Sequence, residues 1–159
     1  MKTKRIDAYW LNKPEANARI YFAYGSNINQ KQMAFRCNDA LPVAIAYVRD
    51  FRFIINSMGV ATIIPVSGLV VRGVLWQISK SDEDELDIYE GVSSNLYTKE
   101  RCNVSVVDEN IDALVYIATN SELGSPRKNY LETITDGIVS FKADVNWIDE
   151  VQSWKGKIL

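Results

Sequence analysis

Histidine is absent from the sequence, so acid–base or nucleophilic chemistry in this chain must fall to Glu, Asp, Tyr, Lys or Cys. Glu90 is the best placed of these. It follows Tyr89 at the C-terminal end of a helical run opened by SDEDELD, and it stands just before Gly91. The negative end of the helix dipole, with Glu85 and Asp87 nearby, disfavours its ionised form, and burial would push its pKa further towards neutrality. A carboxyl group tuned in that way is a general acid/base near pH 7. Left in solvent, the same residue is only a helix end.

A second candidate lies in RIYFAYGSNIN, residues 19–29, where an alternating aromatic strand breaks into Gly25-Ser26-Asn27. Successive N–H groups in such a turn can hold an anion, more so when a helix starts just after. The same triplet is also an ordinary tight turn. It is neither a dinucleotide fingerprint, which needs further glycines, nor a P-loop, which needs Gly-Lys-Ser/Thr. Tyr97, after SSNL, and Tyr130, in PRKNY, offer hydroxyls that need polar partners if buried, although packing accounts for either ring equally well.

These groups must be positioned by a small set of elements. Residues 20–24 read as a strand, 29–36 as a short helix with Met33 and Phe35 on its apolar face, and 41–48 and 51–56 as strands. Residues 60–66 and 69–78, separated by Ser67-Gly68, predict a hairpin. Ser81 with Asp84 predicts the capped start of a helix that Gly91 stops. Strands follow at 97–107 and 111–118 around the turn 108–110. From Pro126 the pattern is helical, with Tyr130, Ile134 and Ile138 four apart. Asp144 caps a last helix carrying Val145, Ile148, Val151 and Trp154 on one face. The expected fold is α+β: a mixed or antiparallel sheet of about six strands curled into a small barrel and flanked by helices. Residues 1–18 are an extension or first helix, and residues 19–159 form one domain.

At 159 residues, 47% hydrophobic and with a net charge of −2, the chain can bury a core but offers no basic field for nucleic acid. No segment reaches the roughly 18 apolar residues of a membrane span, and residues 1–19 lack the apolar run of a signal peptide. Cys37 and Cys102 have no disulfide or metal-site spacing and are expected to be reduced thiols in a cytoplasmic protein, without metal or cofactor.

Taken in order, YFAYGSN at 21–27, GVATI at 59–63, VRGVLWQIS at 71–79, LDIYEGV at 86–92 with Tyr97, and Pro126 with Tyr130 and Gly137 resemble the gamma-glutamylcyclotransferase family. The resemblance implies that Glu90 is the general acid/base and that Tyr24, Gly25, Ser26 and Asn27 line a substrate pocket completed by Tyr97 and Tyr130. It implies cyclisation of a γ-glutamyl compound to 5-oxoproline, in which the substrate's own α-amine is the nucleophile, so the missing histidine is no obstacle. Asn27 stands where the glutathione-specific branch usually has Leu, which points to γ-glutamyl amino acids or amines. A homodimer is the expected assembly. Two readings from other classes stand beside this one: a non-catalytic binder of a small ligand on the same scaffold, and an interaction protein docking through Trp147 and Trp154.

Overall fold

A computed structural model describes residues 7–156. The elements are β1 (Tyr9–Trp10), β2 (Arg19–Ala23), α1 (Gln30–Arg36), β3 (Leu41–Ile55), β4 (Ala61–Ile78), α2 (Lys80–Tyr89), β5 (Tyr97–Val106), β6 (Glu109–Ala118), α3 (Tyr130–Ser140) and α4 (Val145–Gln152). The strands hydrogen-bond in the order β1-β3-β4-β2-β6-β5, and β5 returns to β3 through Tyr47↔Ser105 and Val48↔Val104. Five strands therefore close into a mixed barrel. Only β2 and β6 run parallel, and β1 lies outside the ring on the edge of β3. The expected α+β barrel flanked by helices is the observed architecture.

The strand boundaries differ from expectation in one instructive place. Residues 60–66 and 69–78 are not two strands of a hairpin but one strand, β4, paired with β3 along its length from Ile55↔Ala61 to Leu41↔Gln77. The two runs at 41–48 and 51–56 likewise merge into β3. Ser67-Gly68 marks an irregularity where the ladder skips between Arg49 and Phe51, and the Gly68 N–H donates to Asp50 Oδ1 at 2.9 Å. A bulge and a turn use the same small residues, and the cross-strand partner decides between them. The true hairpin turn is Asn56–Val60, where buried Asn56 accepts from the Met58 N–H at 3.0 Å and donates to the Asn120 carbonyl at 3.0 Å.

Helix ends shift for similar reasons. α2 is capped by Ser79 and Asp82, not by Ser81 and Asp84: Ser79 Oγ accepts from the Asp82 N–H, and the Asp82 carboxylate accepts from the Ser79 N–H, both at 3.1 Å. α3 starts at Tyr130, so Pro126 belongs to the loop before it. The turn between β5 and β6 is two residues, Val107-Asp108, tighter than expected. No helix forms among residues 7–18, and residues 1–6 of the expected extension lie outside the described residues.

The core is built on both faces of the sheet, from Phe22, Ile54, Ile63 and Leu75 of the strands to Ile134 and Ile138 of α3. Each fully buried aliphatic or aromatic side chain contributes roughly 1.5–3 kcal/mol. Trp147, Val151 and Trp154 are buried against this core, which makes α4 a structural element and not a docking face. Val145, expected on its apolar face, is exposed, as is Phe35 of α1. Among the described residues no helix is long and apolar enough to cross a membrane.

Candidate active site

The C-terminal end of α2 carries Glu90 into a cavity of about 320 Å³ at one end of the barrel. The Glu90 N–H closes the last helical turn on the Leu86 carbonyl at 2.8 Å, and Gly91, at φ 63°, turns the chain away in a conformation that favours glycine. The carboxyl group is thereby left at the cavity wall. Burial raises its pKa from 4.5 to about 7, and the Arg36 guanidinium opposes the rise. The neighbouring acids expected to raise it do not contribute. Asp87 accepts from Lys99 Nζ at 3.1 Å and from the Tyr116 hydroxyl at 2.7 Å, while Glu85 is exposed. Desolvation carries the shift.

Opposite Glu90, β2 runs into Tyr24 and Gly25 and then a 3₁₀ turn, Ser26–Ile28. The turn closes from the Ile28 N–H to the Gly25 carbonyl at 3.0 Å, so the Ser26 and Asn27 amides are not used within it, and the Ser26 backbone hydrogen-bonds the Tyr130 hydroxyl. Gly25 is favoured by close contact and not by a left-handed backbone, since a Cβ there would lie 3.2 Å from both Ala61 Cβ and the Tyr130 hydroxyl. Asn27 is buried and fully used. Its Nδ2 donates to the Tyr21 hydroxyl at 2.9 Å and reaches Glu90 Oε1 at 3.5 Å, while Oδ1 accepts from Arg36 at 2.8 Å and Gln32 at 3.2 Å. The structure therefore brings Glu90 and all six of the other expected site residues to one cavity.

The three expected tyrosines are held by backbone. Tyr97 donates to the Ala61 carbonyl at 2.8 Å, and the Ala61 N–H donates to the Tyr130 hydroxyl at 3.0 Å, so one residue of β4 joins β5 to α3. Tyr24 donates to the Tyr116 carbonyl. Burial raises the Tyr130 hydroxyl to about 12 and the Tyr24 and Tyr97 hydroxyls well above their ordinary range. None of the three can act as a base at neutral pH. Glu90 is the cavity group whose shifted pKa lies near neutrality, and among the described residues no three or more Cys, Asp or Glu side chains gather in a metal-ligand cluster.

A curated gamma-glutamylcyclotransferase of Mus musculus is 31% identical over 134 residues, covering 77% of this chain and 71% of that protein. The chain belongs to the gamma-glutamylcyclotransferase family. The Bos taurus gamma-glutamylcyclotransferase is 29% identical over 165 residues, covering 93% of this chain and 87% of that protein. A solved structure named gamma-glutamyl cyclotransferase superposes with a TM-score of 0.82 at 27% identity, covering 90% of this chain and 91% of that one. The model of the AIG2-like family matches residues 70–148, a span that holds Glu90, Tyr97 and Tyr130 but stops short of the Tyr24–Asn27 loop. Membership makes the chain a gamma-glutamylcyclotransferase-type enzyme.

This member of the gamma-glutamylcyclotransferase family also lines its cavity with residues that sequence reasoning passed over, among them Tyr21, Gln32, Arg36, Tyr116 and Arg127. Gln32 and Arg36 had a readable signal, being four apart on α1 and so on one face. Arg36 also lies over the Tyr89 ring, 4.5 Å from its centroid. Tyr116 and Arg127 had no such signal, because long-range pairing alone brings them to the site.

Proposed function

We propose that the chain converts a γ-glutamyl amino acid or γ-glutamyl amine to 5-oxoproline and a free amine, with Glu90 as general acid/base. The observation that carries this reading is the buried Glu90 carboxyl group, its pKa raised to about 7, sharing one small cavity with the Gly25–Asn27 turn. Ionised Glu90 takes a proton from the substrate's α-ammonium group. The freed amine attacks the γ-carbonyl, a carbon–nitrogen bond forms to close the five-membered ring, and the oxygen gains negative charge. Collapse breaks the bond to the leaving nitrogen, which receives the proton held by Glu90. The ring nitrogen then gives up its second proton through Glu90 to the departing amine, which leaves as an ammonium ion.

The protein's main contribution in this scheme is geometric: it holds amine and carbonyl of one substrate in contact. Proton transfer by a positioned group adds typically about 10²–10⁴-fold. The Ser26 and Asn27 amides are suited to hold the α-carboxylate or the developing oxyanion. Asn27, on which the reading of the branch rests, supports the base directly. A leucine there could neither accept from Arg36 nor donate to Glu90.

The test is incubation with a panel of γ-glutamyl amino acids and amines, assayed for 5-oxoproline. Release is expected from at least one compound and is expected to vanish in Glu90→Gln, whose melting curve stays cooperative. Unchanged turnover in that variant removes Glu90 from the mechanism.

A further inference from the structure

Three charged side chains line the cavity: Glu90, Arg36 and Arg127. Arg36 is committed to Asn27 and to the face of Tyr89. Arg127 is exposed, so it stands at the solvent side of the cavity, and none of the ion pairs among the described residues includes it. An exposed arginine without an acid partner is normally a mobile, solvated side chain. This one is tied down three times over. Its backbone N–H donates to the Gly59 carbonyl at 3.0 Å, and its Nε donates to the Met58 carbonyl at 2.8 Å. Its stem lies across Gly59, where a Cβ would come within 2.7 Å of Arg127 Cγ. Gly59 sits at φ 81°, so glycine is favoured at this turn both for its backbone and for the room it leaves.

The Met58 bond uses Nε, which leaves the two terminal nitrogens of the guanidinium fork for another acceptor. A fork held in this way loses little side-chain entropy on binding and matches a carboxylate in bidentate geometry. We propose that Arg127 is the specificity-determining residue of the pocket, pairing with a carboxylate on the leaving half of the γ-glutamyl substrate. The inference rests on the cyclisation reading. That reading puts the substrate's reacting amine at Glu90, inside the cavity, and in this proposal the leaving half runs outward past Tyr97 to the mouth. Tyr97 and Arg127 line the same cavity.

Charge agrees with the geometry. Two arginines and one ionised carboxylate leave the cavity with one net positive charge, and a γ-glutamyl amino acid, with two carboxylates and one ammonium, carries one net negative charge. A γ-glutamyl amine lacks the second carboxylate and gains nothing from Arg127. The bland role for Arg127, tying the loop before α3 to the β3–β4 turn, predicts no such discrimination.

The experiment is calorimetric titration of the Glu90→Gln chain, and of Glu90→Gln with Arg127→Gln, using γ-glutamylalanine and γ-glutamylalanine amide. With Arg127 present, the acid is expected to bind about 10–100-fold more tightly than the amide, the range of a charge-assisted hydrogen-bonded pair. Without it, the ratio is expected to fall to within about threefold, through weaker binding of the acid alone. An unchanged ratio, equal weakening of both ligands, or binding of neither overturns the proposal. Release of 5-oxoproline by the native chain tests cyclisation separately. Binding preference without release would retire the reaction and keep Arg127, while equal release from both compounds would do the reverse.

Discussion

The side-chain amide of Asn27 lies 3.5 Å from the carboxylate of Glu90, joining the loop after β2 to the end of α2. The same amide nitrogen donates to Tyr21, and its oxygen takes Arg36 and Gln32. Asn27 is thus the group that ties Arg36 to the Glu90 carboxylate. Asn27→Asp puts a second negative charge beside Glu90 and withdraws its donor. The Glu90 pKa is expected to rise, so turnover should fall about tenfold or more at pH 6 and less at pH 8. Equal losses at both pH values would show that Asn27 acts on the substrate instead.

With Glu90 as the base, kcat/KM for 5-oxoproline release is expected to rise with pH through an apparent pKa near 7. Arg36 opposes the rise in that pKa, so Arg36→Met should move this limb to higher pH. A limb that stays in place in Arg36→Met counts against the assignment.

The same pKa has a consequence for stability. The folded chain keeps the Glu90 proton up to about pH 7, whereas the unfolded chain releases it near 4.5. Between those values the folded state holds more protons, so stability is lost as pH rises through the window. The full loss is on the order of 2–3 kcal/mol, less to the extent that solvent reaches the carboxyl group. Thermal melts of native and Glu90→Gln chains should therefore diverge from pH 4.5 to pH 7.5, with the variant gaining. A constant difference across that range contradicts the burial of the carboxyl group.

Gly137 lets α3 lie directly on the turn that holds Ser26. A Cβ there would fall 2.7 Å from the Asn29 nitrogen and from the Ile28 carbonyl carbon, and backbone cannot yield as a side chain can. Gly137→Ala should cost about 1–3 kcal/mol of stability and displace Tyr130, at the start of α3, from Ala61 and Gly25. A fall in kcat/KM of about 10–100-fold is expected. A folded variant with native kinetics would mean that the α3 contact does not set the pocket.

Asp144 has two tasks: it caps α4 through the Asn146 N–H at 2.9 Å, and it pairs with buried Arg72 at 3.2 Å. Arg72 Nε has no hydrogen-bond partner among the described residues, so the guanidinium depends heavily on its remaining contacts. Asp144→Ala should destabilise by about 3–5 kcal/mol, and Asp144→Asn by less, because Asn keeps the cap. Denaturant titration measures both. Equal effects would assign the whole loss to the ion pair.

Much of this was readable from local pattern, and the failures share one cause. Glu90 and Gly91 could be placed because a helix end is written in a few adjacent residues. The sequence SKSDED contains two overlapping Ser-x-x-Asp boxes, and local chemistry cannot choose between Ser79 and Ser81. Packing chooses, since Asp82 is buried while Asp84 is exposed. Ser67-Gly68 failed in the same way, its meaning set by Asp50 on the partner strand. In the pocket, Tyr24, Asn27, Tyr97 and Tyr130 were found by resemblance. Arg127 was not found, because its value lies in contacts with Met58 and Gly59, far off along the chain.

Strand β2 sits between β4 and β6, and its parallel partner Leu114 is made long after Tyr21. During synthesis the aromatic run Tyr21–Tyr24 must therefore wait, first unpaired and then paired on one edge, until β6 leaves the ribosome. An apolar edge held open for that time invites pairing with other chains. The strand that ends in the pocket loop is thus also an open edge of the nascent protein, and a chaperone that shields it would act before there is any pocket to protect.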